Sequence, residues 1–325
     1  QDFGRALLAY GVTTVRIPGI NAYAAAAEEE AIAAGRRPGP RIIASGDKLE
    51  GIRVFDAGGA FITSDQHLDQ ELERATTLGA DFIATGVRLP DRYQKRIVNA
   101  AHQSGTTVAS SALFPAVAFG ADLVDGPGQT RAGYSTTRGS AGQIYRDVLD
   151  AIVKSGITTT DTLALEGGFD ARLSGDRSIL FDPRLALYPL PVVSWLTDLA
   201  TKIPSPGIDA ALKPREASLK AILEAGGKIV AASGSPAIPY GLGLHAELES
   251  LVHAGLTPFQ ALQMATIHSA RALGLDAELG TIEVGKLADF AFVDGDPLND
   301  IRNARKVKRV MKGGRAYTVE ELIKR

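Results

Sequence analysis

The feature that most limits what this chain can fold into is a repeating rhythm. Short β-branched segments alternate with amphipathic stretches from Thr13 to Ala254. Strand candidates are Thr13–Ile17, Arg41–Ser45, Asp81–Thr85, Thr107–Ser111, Ala121–Asp125, Ile157–Thr162 and Lys228–Ser233. Helical periodicity falls between them, over Asp65–Leu78, Asp91–Ser104, Tyr145–Ser155, Pro214–Ala225 and His245–Ala254. Helical stretches here tend to run into glycine, at Gly11, Gly35, Gly79, Gly105, Gly156, Gly226 and Gly255. Glycine accepts the left-handed conformation that ends a helix, so these positions read as helix stops. Strand and helix in strict alternation call for a parallel sheet with helices outside it. Seven strand candidates are one fewer than the eight that close a (β/α)8 barrel.

Composition narrows the function classes. A chain of 325 residues is long enough for one large barrel. Its 35 basic and 37 acidic residues leave a net charge of −2, which gives no electrostatic case for nucleic acid or an anionic membrane. No apolar run approaches the ~20 residues of a membrane span. The absence of cysteine excludes disulfides, thiolate metal sites and cysteine nucleophiles, and leaves the cellular compartment open. Histidine is scarce: His67, His102, His245, His253 and His268 are all there are.

Texture changes along the chain. From Leu279, TIEVGKLADFAFVDGDP and VKRVMKGGRAYT read as three short strands turning at Gly285, Asp294–Gly295 and Gly313–Gly314. This divides the chain into a barrel domain over residues 1–278 and a small β-sandwich portion over 279–325. Asp182–Pro214 carries six prolines and the single tryptophan, Trp195, and reads as an irregular lid, insertion or docking surface. The chain opens at Gln1 within a helical pattern and without an initiator methionine, as a processed product or fragment would.

Several stretches resemble the amidohydrolase superfamily, in its imidazolonepropionase- and prolidase-like branch. These are LLAYGVTTVR (7–16), GPRIIASG (39–46), VRLPDRYQKRIV (87–98), PYGLGLHAELESLVHAGLTPFQALQMAT (239–266) and LGTIEVGKLADFAFVDGDPLNDI (279–301). The resemblance implies a distorted (β/α)8 TIM-like barrel with a small β-sandwich beside it. Family members carry His-x-His at the end of the first barrel strand. No His-x-His occurs in this chain, whose first residues match the segment just after it. The resemblance therefore implies that a second polypeptide or a symmetry mate supplies the missing strand and half of the sandwich.

It also implies where metal ligands would stand. Matched by flanking residues, the family's lysine falls at Ala84, its two histidines at Ser111 and Gly126, and its aspartate at Gly234. None of these side chains binds a divalent cation strongly, so neither metal nor other cofactor is expected. Small residues in place of large ligands imply a hollow barrel mouth open to a small molecule. Arg16, Arg88, Arg131, Tyr134, Tyr240 and His245 are the candidate substrate-binding residues. Ser111, Asp125 and Asp161 are the candidate catalytic ones. Each has a plainer role open to it: Arg88 and Arg131 as ion-pair partners of Asp91 or Asp125, Tyr240 as a turn residue, Asp125 as a loop cap, His245 as a packed helix residue. Two functions fit: a metal-free, degenerate binding or structural subunit of a larger assembly, or a metal-independent enzyme of hydrolase or lyase type. In the second, Asp125 with Asp161 would serve as an acid/base pair, or Ser111 as nucleophile, on a small and possibly anionic substrate.

Overall fold

A computed structural model describes residues 3–51, 58–126, 137–139 and 143–324. Its strands are β1 (Thr14–Ile17), β2 (Arg41–Ala44), β3 (Lys48–Glu50), β4 (Gly59–Phe61), β5 (Phe82–Thr85), β6 (Thr107–Ser110), β7 (Leu123–Asp125), β8 (Thr158–Asp161) and β9 (Lys228–Ala231). β10 (Phe290–Val293), β11 (Val307–Lys312) and β12 (Arg315–Thr318) follow. The first nine pair in parallel: β1 with β2, and β4-β3-β5-β6-β7-β8-β9 as one seven-stranded sheet. The backbone N–H of Asp81 donates to the Ala44 carbonyl at 2.9 Å, and the Ala44 N–H to the Asp81 carboxylate at 2.8 Å. These bonds tie β2 to the start of β5. The β1–β2 pair therefore continues the wall of the larger sheet.

All seven expected strand segments are strands, and their order in the wall follows the chain, as in amidohydrolase-type barrels. All seven glycines read as helix stops have positive φ, for instance 70° at Gly156 after the helix Arg146–Ser155. β3 and β4 were not expected. At three residues each they are too short for an alternating pattern to register, and pairing with neighbours defines them. Among the described residues no strand pairs with the outer edge of β1 or of β9.

Outward side chains of the strands, such as Ile83, Val108, Val124 and Ile229, bury against the covering helices through Leu68, Ile97, Ile152, Leu219 and Leu251. Phe82, Ala84, Ala109 and Leu123 point the other way and form the small interior cluster, joined by Ile43 and Ala272. β10-β11-β12 make the expected antiparallel unit, with Gly313–Gly314 as the two-residue hairpin turn at φ 56° and 79°. Arg41 in β2 pairs with the buried Asp289 at 3.1 Å, and Asp289 also accepts from the Gly313 N–H at 2.7 Å. One carboxylate thus docks the small sheet on the barrel wall. Among the described residues no helix is long and apolar enough to cross a membrane.

The proline-rich stretch from Asp182 corrects the sequence expectation. It folds as a 3-10 turn over Pro183–Leu187, a helix over Leu190–Thr201 and the first half of a helix over Pro206–Glu224. Both longer helices carry a proline in the first turn, where the missing N–H costs nothing. Only Pro214 lies inside a helix. The stretch is a wall of a second core and not a loop. Leu187, Leu196 and Leu199 bury there against Ala6, Leu8 and Tyr10 of the N-terminal segment, Leu242 and Ala246, and Val310 and Leu322 of the tail. Trp195 stacks on Phe169 at 5.4 Å.

His245 belongs to this second core. The residue is 6% exposed, its ring lies 5.8 Å from the Tyr10 ring, and Nε2 bonds the Tyr10 carbonyl at 2.9 Å. A carbonyl only accepts, so Nε2 carries the hydrogen and Nδ1 is the bare nitrogen, buried without a partner. Burial lowers the His245 pKa to about 4. Protonation is thus withheld in the folded state and free in the unfolded chain at its ordinary value. The linked stability is whole above pH 6.5 and is lost as pH falls from there to about 4, by up to ~3 kcal/mol. Urea unfolding at stepped pH should show this loss in the wild type and a shallower one in His245→Gln. Parallel curves for the two proteins would contradict the assignment.

Candidate active site

The C-terminal ends of parallel barrel strands are where this architecture presents its chemistry. On β7 the alternation that turns Leu123 inward also turns Asp125 inward. On β1, Arg16 reaches across the interior to pair with the Asp125 carboxylate. Four strand-to-strand steps separate β1 from β7 along the wall, ~19 Å if the sheet were flat. The two side chains can meet only because the wall is strongly curved. The guanidinium also lies 5.1 Å over the Phe82 ring. Thr160, in register with Asp125 on β8, donates to the same carboxylate oxygen at 3.3 Å.

Ser111 follows β6, 7% exposed, and its backbone N–H donates to the Thr85 carbonyl at 2.8 Å. Among the described residues no base hydrogen-bonds its hydroxyl. Ser110 is spent on the turn, its hydroxyl bonded to the backbone of Ala112. Gly126 donates its N–H to the Thr160 carbonyl at φ 81°, so the residue that projects from the tip of β7 is Asp125, one position earlier than flanking sequence placed the second histidine. Ala84 lies in the interior cluster, and Gly234 sits at φ 68° against Leu165 and Ile238.

The structure brings Arg16 and Asp125 together, and Ser111 lies on the neighbouring strand. Asp161 ends β8 opposite Ala231, but its side chain is outside the described residues. Arg131 and Tyr134 are wholly outside them. Arg88 is half-buried in the loop after β5, where its carbonyl lies against Gly51. Tyr240 and His245 lie elsewhere: Tyr240 packs on Phe3 at 5.8 Å beside the second core, burial raising its pKa, and His245 is inside that core. His102 and His253 sit on outer helices, each 3.0 Å from a carboxylate, Asp122 and Glu216.

Sequence reasoning missed Glu50. It ends β3, 4% exposed, with its carboxylate against the Cα of Gly86, where a Cβ would collide with it. A carboxylate at that depth beside a glycine has no periodic signature, since β3 is three residues long.

The superfamily's divalent cation can be tested against these residues. At the matched strand tips the described residues offer an alanine, a serine hydroxyl, two glycines and Asp125, whose carboxylate already holds a guanidinium. No group of three His, Asp or Glu suited to a metal occurs among the described residues. This donor set does not fit the cation.

Comparison with known proteins supports the fold and shows a family likeness over the C-terminal part of the chain. The amidohydrolase family model matches residues 207–317. An imidazolonepropionase of Pseudomonas aeruginosa is 48% identical over 67 residues, 17% of this chain and 17% of that protein. A 5-methylthioadenosine/S-adenosylhomocysteine deaminase of Moorella thermoacetica is 63% identical over 35 residues, 11% of this chain and 8% of that protein. The chain therefore spans less than a fifth of the length of these curated relatives. The crystal structure of a Xaa-Pro dipeptidase with methionine bound in its active site superposes with a TM-score of 0.70 at 22% identity, covering 97% of this chain and 77% of that one. The C-terminal segment over residues 207–317 is thus similar to the amidohydrolase family, and the parallel wall with its small antiparallel sheet shares the fold of that solved structure.

Proposed function

We propose that this chain is a metal-free, degenerate amidohydrolase-type protein that binds a small molecule at its barrel mouth and acts as a binding or structural subunit of a larger assembly. The Arg16–Asp125 pair carries this reading. A carboxylate inside a barrel needs a positive partner, and here the partner is organic. Ala84 and Ser111 put small side chains where bulkier ligands would stand, which favours a small molecule beside the pair. Among the described residues the outer edges of β1 and β9 are unpaired, which favours a further strand from a second polypeptide or a symmetry mate, because bare strand edges are a liability.

A metal-independent enzyme is the second reading. What favours it is Asp125, held by Arg16 and Thr160 in one orientation one strand from Ser111. Fixed polar groups at the strand tips suit acid/base or nucleophilic chemistry on a small anion.

Elemental analysis of protein purified without added metal should find well under one equivalent of zinc; stoichiometric zinc would overturn both readings. Turnover of a small-molecule substrate that survives chelators and is lost in Asp125→Asn would select the second. The pair itself is tested by a double-mutant cycle. With side chains 13% and 21% exposed, it is only partly buried. Arg16→Met should cost ~2 kcal/mol, below the ~3–5 kcal/mol of a fully buried pair, by stranding Asp125. Arg16→Met with Asp125→Leu should recover most of that loss in denaturant unfolding. Additive losses would mean that the two side chains do not depend on each other.

A further inference from the structure

A second concave site lies away from the barrel mouth and shares no residue with it. It is a cleft of about 650 Å³ between the segment Arg172–Arg184, Glu249 on the helix Leu242–His253, and Asp300–Lys306. Its lining holds five cationic and four acidic side chains. Some are spent within the wall. Arg184 gives Nε and Nη2 to Asp182 at 2.8 Å each, and Nη1 to the carbonyls of Ala9 and Arg305. Arg302 is paired with Asp300 at 2.7 Å.

Others are not. Arg305 gives Nη2 to Asp176 at 2.5 Å and to Ser178 at 3.2 Å, while its Nη1 is buried without a partner. Arg172 pairs with Asp209 through Nη2, and its Nε is likewise buried without a partner. Glu249 Oε1 is a third such atom. Lys306 is exposed at the rim, and no ion pair holds it among the described residues. A buried donor without an acceptor costs ~1–3 kcal/mol, so two such nitrogens on arginines that line one cleft are a standing demand for oxygen.

We propose that this cleft binds a small oxyanion-bearing molecule, its carboxylate or phosphate-type group accepting from Arg305 Nη1 and Arg172 Nε, with the Lys306 ammonium closing the rim. Guanidinium is the group best matched to such oxygens, because its N–H bonds are fixed in a plane and charge-assisted. The two arginines are also pre-positioned: Asp176 and Asp209 each hold one of them by an ion pair, so little side-chain freedom is lost on binding.

Glu249 sets the pH dependence. Burial pushes its carboxyl up to about 7, Asp176 adds to that, and Arg305, Arg302 and Arg172 act against it. Neutral, it leaves an oxyanion unopposed or donates a hydrogen bond to it. Ionised, it repels the anion. Affinity should therefore fall as pH rises through about 7, by up to about tenfold between pH 6 and pH 8.

Isothermal titration of the whole chain with sulfate and with succinate tests this, the pH profile being read with sulfate, which does not titrate over that range, or with succinate from pH 7 upward, where it is doubly ionised. One of them should bind saturably at one site, sulfate if the group is tetrahedral and succinate if it is a carboxylate. Arg305→Lys keeps a cation for Asp176 and removes Nη1, and should weaken binding about tenfold, close to the value of one charge-assisted bond. Lys306→Ala, at an exposed position, should weaken it severalfold with an unchanged unfolding midpoint. Glu249→Gln should keep binding and flatten the pH profile. Binding by neither probe, or binding that both Arg305→Lys and Lys306→Ala leave at wild-type strength, overturns the proposal.

Discussion

A single ion pair across the barrel interior organises the strand tips. Asp125 is turned inward by the pleat of β7, and no choice of neighbour can turn it out without flipping Leu123 as well. An inward carboxylate must be neutralised, and Arg16 does it from the far side of the wall, its guanidinium resting over Phe82. The contact exists only in a curved sheet, so charge and shape support each other. It also bears on what the mouth can hold, because the Asp125 carboxylate is already occupied.

The barrel wall was legible because its signals are local. β-branched runs and terminal glycines are properties of ten or fifteen residues, and each of the seven strands lies where those signals put it. The proline-rich segment misled for the converse reason. Proline was read as a breaker, yet in the first turn of a helix it is compatible with the fold and even favoured there. What decides between the two roles is the apolar face that follows, and Leu196 and Leu199 supply it only in the presence of the second core.

The site was legible in part. Arg16 and Asp125 were both named, but their pairing joins residues 109 positions apart and depends on curvature that no strand carries in its own sequence. His245 and Tyr240 were drawn toward the mouth by motif context, and the structure packs them elsewhere. For His245 the reason is chemical: its Nε2–H answers the Tyr10 carbonyl at a helix end, a demand invisible until the N-terminal segment is folded against the helix. Glu50 escaped notice because a three-residue strand has no period to read.

The mouth and the outer cleft differ in how their polar groups are satisfied, and that difference separates their roles. At the mouth, Asp125 accepts from both Arg16 and Thr160, so the carboxylate is internally answered. In the cleft, Asp176 and Asp209 answer one nitrogen each of Arg305 and Arg172 and leave another nitrogen of each guanidinium buried and bare. Folding tolerates such atoms only where something offsets them. Glu249 stands within electrostatic range of both arginines yet pairs with neither, and its carboxyl, raised by burial, is poorly suited to neutralise them. The missing partner is therefore a group with several oxygens and a charge of its own, which none of the side chains lining the cleft supplies.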